Sequence, residues 1–253
     1  MTTTDRPALA GHAVLVTGGA RRIGAAIARQ LHAEGADLVI HHRASREDAA
    51  RLAAELNARR PRSAALVQAD LLDVGSLPGL VGAAIAAFGR LDVLVNNAST
   101  FYPTPVGSIT AADFDDLIGT NLRAPLFLAQ AAAAELRLRR GLVLNIADIH
   151  GFRPLKRHPV YSAAKAGLVM LTQSLARELG PEVRVNAIAP GPVLWPEGAM
   201  DPELRKRIVE RTALKRMGSP EDVARAALFF VRDAPYVSGQ VLPVDGGRTV
   251  GGL

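Results

Sequence analysis

Short runs of valine, isoleucine and leucine alternate along the chain with longer alanine- and leucine-rich stretches whose apolar positions recur at helical spacing. The runs "HAVLVTG" (12–18), "ADLVIHH" (36–42), "AALVQAD" (64–70), "LDVLVNN" (91–97), "LVLNIAD" (142–148), "RVNAIAP" (184–190) and "VLPVDGG" (241–247) predict seven strands. Helices are predicted over 22–34, 46–59, 76–88, 112–139, 161–179, 202–211 and 220–231. Strand and helix taken in turn is the pattern of a parallel sheet covered by helices on both faces. No polar linker, composition break or internal repeat divides the series, so a single doubly wound α/β domain over 1–253 is expected. A proline-broken stretch, "PGPVLWPEGAMDPELRKR" (190–207), opens an expected substrate loop at about 191–218.

In an open parallel sheet the ligand crevice lies at the carboxyl ends of the strands. Asp70, Asn96, Asn97, Asp148 and Pro190 all fall at such ends. The first strand runs into "TGGARRIG" (17–24), where Gly18 and Gly19 let backbone N–H groups approach a pyrophosphate and the next helix directs its positive end at it. Glycines after a first strand and before a helix predict a Rossmann-type dinucleotide site. An enzyme selecting NAD places a carboxylate at the end of the second strand. Here that place reads "HHRAS" (41–45), in which Arg43 can pair with a 2′-phosphate and Ser45 can donate to it. NADPH is therefore the expected cofactor, the plainer alternative being that Arg43 and Arg46 form a solvated helix entrance.

Tyr161 and Lys165 stand four apart on a predicted helix and so share one face. An ammonium beside a phenol favours phenolate, so Lys165 is expected to lower the pKa of Tyr161 and allow proton delivery as hydride arrives. Thirteen residues earlier stands Asp148. An ionised carboxylate can only accept hydrogen bonds and repels a developing alkoxide. The position therefore suits a substrate with N–H donors or a ring nitrogen that needs a proton, unless Asp148 only caps a loop N–H. Phe101, just past "NNAS" (96–99), and Trp195, in the proline-broken stretch, are candidates to line the substrate space, or else core packing.

Composition narrows the field further. The 253 residues include no cysteine, which excludes disulfides and thiolate chemistry. The net charge of +6 comes from scattered arginines without an aromatic stacking array, so no nucleic-acid partner is expected. Neither a membrane span nor a signal peptide is expected, which makes a cytoplasmic protein the default. His150 and His158 are assigned to solvent or loop packing, and no metal is expected.

Several motifs in order, "TGGARRIG", Asp70, "NNAS", Asn121, Tyr161 with Lys165, "PG" (190–191) and "DGG" (245–247), make the chain resemble the short-chain dehydrogenase/reductases over essentially its whole length. Arg22 in place of the usual middle glycine, "HHRAS", "NNASTFYPTP" (96–105) and Asp148 make it similar to the pteridine reductase branch. The resemblance implies an NADPH-dependent reduction of a dihydropterin, with oxidised pterin or dihydrofolate as further substrates. It implies catalytic roles for Asp148, Tyr161, Lys165 and Asn121, the last supporting a water next to the lysine. Cofactor contacts are implied for Gly18, Arg21, Arg22, Ile23, His42, Arg43, Ser45, Asp70, Leu71, Asn97, Ala98, Ser99, Tyr161, Lys165, Pro190 and Gly191. Substrate contacts are expected from Arg22, Ser99, Phe101, Asp148, Tyr161 and Trp195, with Phe101 sandwiching the pterin against the nicotinamide. A homotetramer joined through helices at about 112–139 and 161–179 is implied as well. A ketone reductase and a non-catalytic NADP(H)-binding regulator are the alternatives.

Overall fold

The computed structural model describes residues 8–195 and 201–250. Seven strands, β1 (Ala13–Val16), β2 (Asp37–His42), β3 (Ala64–Gln68), β4 (Val93–Asn96), β5 (Leu142–Ile146), β6 (Arg184–Pro190) and β7 (Val241–Val244), pair in parallel in the order β3-β2-β1-β4-β5-β6-β7. Between them run α1 (Arg22–Ala33), α2 (Arg46–Arg59), α3 (Leu77–Phe88), α4 (Ala111–Ile118), α5 (Ala124–Arg139), α6 (Pro159–Leu179), α7 (Pro202–Glu210) and α8 (Pro220–Leu228).

The central strands are largely apolar and buried because helices cover both sheet faces there. Val14 and Val16 of β1 pack with Ile27 and Leu31 of α1, Leu52 and Leu56 of α2, and Val223 of α8. Leu15, pointing the opposite way, packs with Leu80 of α3, Leu128 of α5 and Leu175 of α6. Strand order reverses direction between β1 and β4, and the crevice opens above that switch point.

The predicted elements match these closely, with one informative departure. The helix expected over 112–139 is α4 and α5 joined by a π turn, Gly119–Arg123. Pro125 explains it: proline lacks the N–H that an unbroken α-helix would bond to the Asn121 carbonyl, and its ring crowds that carbonyl. The wider turn relieves the clash and swings Asn121 toward the crevice. A second π turn, Phe229–Asp233, follows α8. The expected substrate loop at 191–218 contains α7, and residues 196–200 of it lie outside the described residues. Among the described residues, no helix is long and apolar enough to cross a membrane.

Candidate active site

A cleft of about 370 Å³ lies above β1, β2 and β4. The first turn supplies Gly18, Arg21, Arg22 and Ile23; the end of β2 supplies His41, His42, Arg43 and Ser45. Asp70 and Leu71 after β3, and Asn97, Ala98 and Ser99 after β4, complete it. Gly18 adopts φ +57°, and a Cβ there would come 3.0 Å from the Ala98 Cα. A Cβ on Gly24 would stand 2.5 Å from the Asn97 Nδ2 and the Gly18 carbonyl, so the turn packs closely against the end of β4. Thr17 braces the same junction, its hydroxyl oxygen accepting from the N–H groups of Asn97 (2.9 Å) and Ala98 (3.1 Å).

His41, which pattern reading passed over in favour of His42, holds the turn from the other side. The Gly18 N–H donates to its Nδ1 at 3.1 Å and its Nε2 donates to the Ala69 carbonyl at 3.2 Å. Burial pulls its pKa down to about 4, against the opposing bond to Ala69, which keeps the ring neutral and able to accept. The only advance signal was its place at a strand end. His42 is buried, with its Nδ1 unpartnered among the described residues. Ser45 is the N-cap of α2, yet its side chain makes no capping bond. Both groups are thus available to a ligand in the cleft, as a cofactor phosphate or ribose requires.

Arg22 takes the left-handed conformation, φ +55°, that the usual glycine would adopt without strain. Its Nη2 donates to the Trp195 carbonyl at 2.9 Å, which joins the first turn to the start of the substrate loop. The Trp195 ring lies under the Arg205 guanidinium of α7, 5.4 Å from centroid to Cζ. Pro190 and Gly191 end β6 beyond the lining of the cleft, with the Gly191 N–H donating to Val244 at 3.0 Å.

At the far end of the crevice the Tyr161 hydroxyl donates to Asp148 Oδ2 at 2.7 Å. Asp148 Oδ1 accepts from the His150 N–H at 2.8 Å, so the carboxylate both caps a loop turn and holds the phenol. Lys165 is fully enclosed, its Nζ donating to the Ile146 carbonyl at 2.9 Å and lying 5.7 Å from the Tyr161 ring centroid. Burial brings the lysine down to about 8, against the Asp148 charge. The expected net lowering of the Tyr161 pKa is not found. Burial first, then the Asp148 charge and the hydrogen bond to it, push the phenol well above its ordinary value, opposed by the Ser99 hydroxyl. Tyr161 therefore holds its proton.

Asn121 is buried in the π turn, where its Nδ2 donates to the carbonyls of Leu117 (2.9 Å) and Thr100 (3.0 Å). Its Oδ1 accepts from the Ser99 hydroxyl at 2.6 Å. Its protein partners thus fix the segment leading to Phe101. Phe101 is 43% exposed, meeting Tyr161 edge-on with centroids 4.8 Å apart. His158 stacks on Phe101 at 4.8 Å and 10°. Loop packing was expected of His158; that it packs on the candidate substrate wall was not. Its position three residues before Tyr161 was the available signal. Tyr102 anchors this wall, its hydroxyl donating to Asp116 at 3.0 Å.

A sequence profile described as enoyl-(acyl carrier protein) reductase matches residues 18–249. The chain belongs to the short-chain dehydrogenase/reductase family. It is an oxidoreductase of that family. Pteridine reductase 1 of Leishmania tarentolae is 37% identical, the match covering 93% of this chain and 96% of that protein, which bears out the resemblance to the pteridine reductase branch. A 3-oxoacyl-(acyl-carrier-protein) reductase of Staphylococcus aureus is 35% identical over 92% of this chain and 96% of its own. Among solved structures, a blue fluorescent protein from a metagenomic library, in complex with NADPH, superposes with a TM-score of 0.89 at 36% identity, covering 95% of this chain and 98% of that one.

Proposed function

We propose that this chain is an NADPH-dependent pteridine reductase that saturates a C=N bond of a dihydropterin. NADPH is its cofactor: the end of β2 carries Arg43 in place of a carboxylate, and the His42 nitrogen and Ser45 hydroxyl stand available beside it. Gly18, Arg21, Arg22 and Ile23 would hold the pyrophosphate, Asp70 and Leu71 the adenine, and Asn97, Ala98, Ser99, Tyr161, Lys165, Pro190 and Gly191 the nicotinamide half. When bound, NADPH supplies the hydride.

The observation that carries the substrate assignment is the 2.7 Å bond from the Tyr161 hydroxyl to Asp148. Hydride addition to a C=N carbon leaves the adjacent nitrogen in need of one proton. Tyr161, kept protonated by burial and by Asp148, can release that proton, and Lys165 below its ring stabilises the phenolate left behind. Asp148 accepts N–H donors from the ring and takes part in the relay. A carbonyl oxygen gaining charge would instead meet a carboxylate. Phe101 offers an exposed aromatic face to a flat heterocycle. Trp195 and Arg22 close the other side, and Asn121 supports a water beside Lys165.

A ketone or 3-oxoacyl reductase is the second reading, favoured by the staphylococcal relative of similar identity. A cofactor-binding regulator is the third, disfavoured by the intact tyrosine and lysine. We further infer a cytoplasmic homotetramer joined through α5 and α6, on which Leu126, Leu138 and Met170 are exposed. The deciding experiment follows NADPH oxidation with oxidised pterin, dihydropterin, dihydrofolate and activated ketones. A higher kcat/KM on dihydropterin is expected. Preference for the ketone selects the second reading, and cofactor binding without turnover selects the third.

A further inference from the structure

A line of polar side chains crosses the buried space between the sheet and α6. Asn96 at the end of β4 and Asn145 on β5 are register partners, and both are buried. The Asn96 Nδ2 donates to the Asn145 Oδ1 at 2.9 Å, and the Asn145 Nδ2 donates to the Thr172 Oγ1 of α6 at 2.9 Å. The Thr172 hydroxyl donates in turn to the Leu168 carbonyl at 2.8 Å. Val143, two residues before Asn145, and Leu175, three after Thr172, belong to the apolar core. The Asn96 Oδ1 is buried with no partner among the described residues. A buried polar atom left unpaired costs more than a made hydrogen bond adds in net stability, so what this line supplies is direction more than stability.

Thr172 stands eleven residues after Tyr161 and seven after Lys165. At about 100° per residue, Tyr161, Lys165, Leu168 and Thr172 fall within an arc of about 60° on one face of α6. Asn145 is followed on β5 by Ile146, whose carbonyl accepts from the Lys165 Nζ at 2.9 Å. Two successive residues of β5 thus hold α6 at two points along that face. One point uses Lys165, a group of the reaction itself. The other, Asn145 to Thr172, contains no titratable group and stays unchanged while Tyr161 gives up and regains its proton. Apolar packing is non-directional and lets a helix settle at more than one height on a sheet, whereas a buried hydrogen bond selects one. Asn97, next to Asn96, holds the glycine turn, its Nδ2 donating to the carbonyls of Thr17 (2.9 Å) and Gly18 (3.0 Å). The end of β4 therefore sets both the cofactor turn and, through Asn145, the helix that carries the proton donor.

We propose that Asn145 and Thr172 are positioning residues: the hydrogen bond between them fixes the height of α6 on β5 and so sets Tyr161 against Asp148. Both are fully buried and act only through Tyr161 and Lys165. The proposal rests on the reading of Tyr161 and Lys165 as the proton-transfer pair, and it holds whichever double bond is reduced. The bond it protects is the 2.7 Å contact from the Tyr161 hydroxyl to Asp148. Displacing the donor by a fraction of an ångström lowers the rate on the order of tenfold.

Three substitutions at one position separate the bond from the packing. Thr172→Val keeps the volume and removes the acceptor, Thr172→Ser keeps the hydroxyl and loses a buried methyl, and Thr172→Cys offers a weaker acceptor. Both Thr172→Val and Thr172→Ser should melt lower than the wild type, the first through an unpaired amide and the second through a small cavity. Turnover tells them apart. With NADPH and either a dihydropterin or an activated ketone, Thr172→Val should lose about tenfold in kcat with KM changed less than about twofold. Thr172→Ser should stay within about twofold of the wild type in both, and Thr172→Cys should fall between. In Thr172→Val the alkaline limb of the kcat profile should also move to lower pH, because a phenol drawn away from Asp148 loses the charge that raises its pKa. Equal kcat in Thr172→Val and Thr172→Ser, or a kcat that follows melting temperature across the series, overturns the proposal and leaves the proton-transfer pair standing. Should Thr172→Val not fold, Thr172→Ser and Thr172→Cys decide on the same terms. Undiminished turnover in Tyr161→Phe, or no turnover of either substrate by the wild type, refutes the pair itself, and the proposal falls with it.

Discussion

The Tyr161 hydroxyl donates a hydrogen bond to Asp148 across 2.7 Å, and burial together with the charge of that carboxylate holds the phenol's pKa above its ordinary value. Replacing the carboxylate with a hydroxyl should weaken both effects. In Asp148→Ser the Tyr161 pKa falls, so the alkaline limb of the kcat/KM profile moves to lower pH. Dihydropterin reduction should drop by about a hundredfold, a usual size for lost acid–base assistance, with NADPH affinity preserved. Reduction of an activated ketone should hold or improve. If the wild type prefers the ketone and the variant loses that activity, the pterin assignment is wrong.

Phe101 meets Tyr161 at its edge and His158 at its face, with 43% of its surface still open. Phe101→Ala should raise the dihydropterin KM by up to about tenfold through lost stacking, with little effect on NADPH affinity. A matching fall in cofactor affinity and melting temperature would assign the ring to packing instead.

Arg43 stands at the end of β2 with no carboxylate partner among the described residues. Arg43→Asp exchanges a phosphate partner for a repelling charge and should weaken NADPH by about tenfold or more relative to NADH. Parallel titrations of the two cofactors check it, and an unchanged ratio removes Arg43 as the selector.

His41 is held neutral by burial, with a pKa of about 4 in the folded protein against about 6.5 when unfolded. Between those values the unfolded chain binds the proton first. The contribution of His41 to stability is therefore full above about pH 6.5 and lost as pH falls toward about 4, by at most about 3 kcal/mol. His41→Gln should flatten this part of the stability profile measured by denaturant titration. An unaltered acid limb would show that other groups cause it.

The alternation of apolar runs and amphipathic stretches was enough to place all seven strands, because a sheet covered on both faces needs continuous apolar strands and a helix needs one apolar stripe. The glycine turn, "HHRAS" and Asp148 were legible for a similar reason, since strand ends in a doubly wound sheet converge on one crevice, and Tyr161 with Lys165 because residues four apart share a helix face. What stayed hidden depends on contacts between residues far apart in the chain. Pro125 is visible in the sequence, but that its π turn sets Asn121 against Ser99 appears only once the segment after β4 packs on that turn. The His158 ring reaches Phe101 only because the loop after β5 folds against the segment after β4. The direction of the Tyr161 pKa was misread from spacing alone, since i and i+4 place Lys165 on the same helix face without saying which group the hydroxyl meets. That hydroxyl meets Asp148 in a buried site, where desolvation and a nearby negative charge outweigh an ammonium engaged with Ile146. Sequence supplies the groups and their order along the chain; burial and through-space distance, which arise only on folding, decide their protonation.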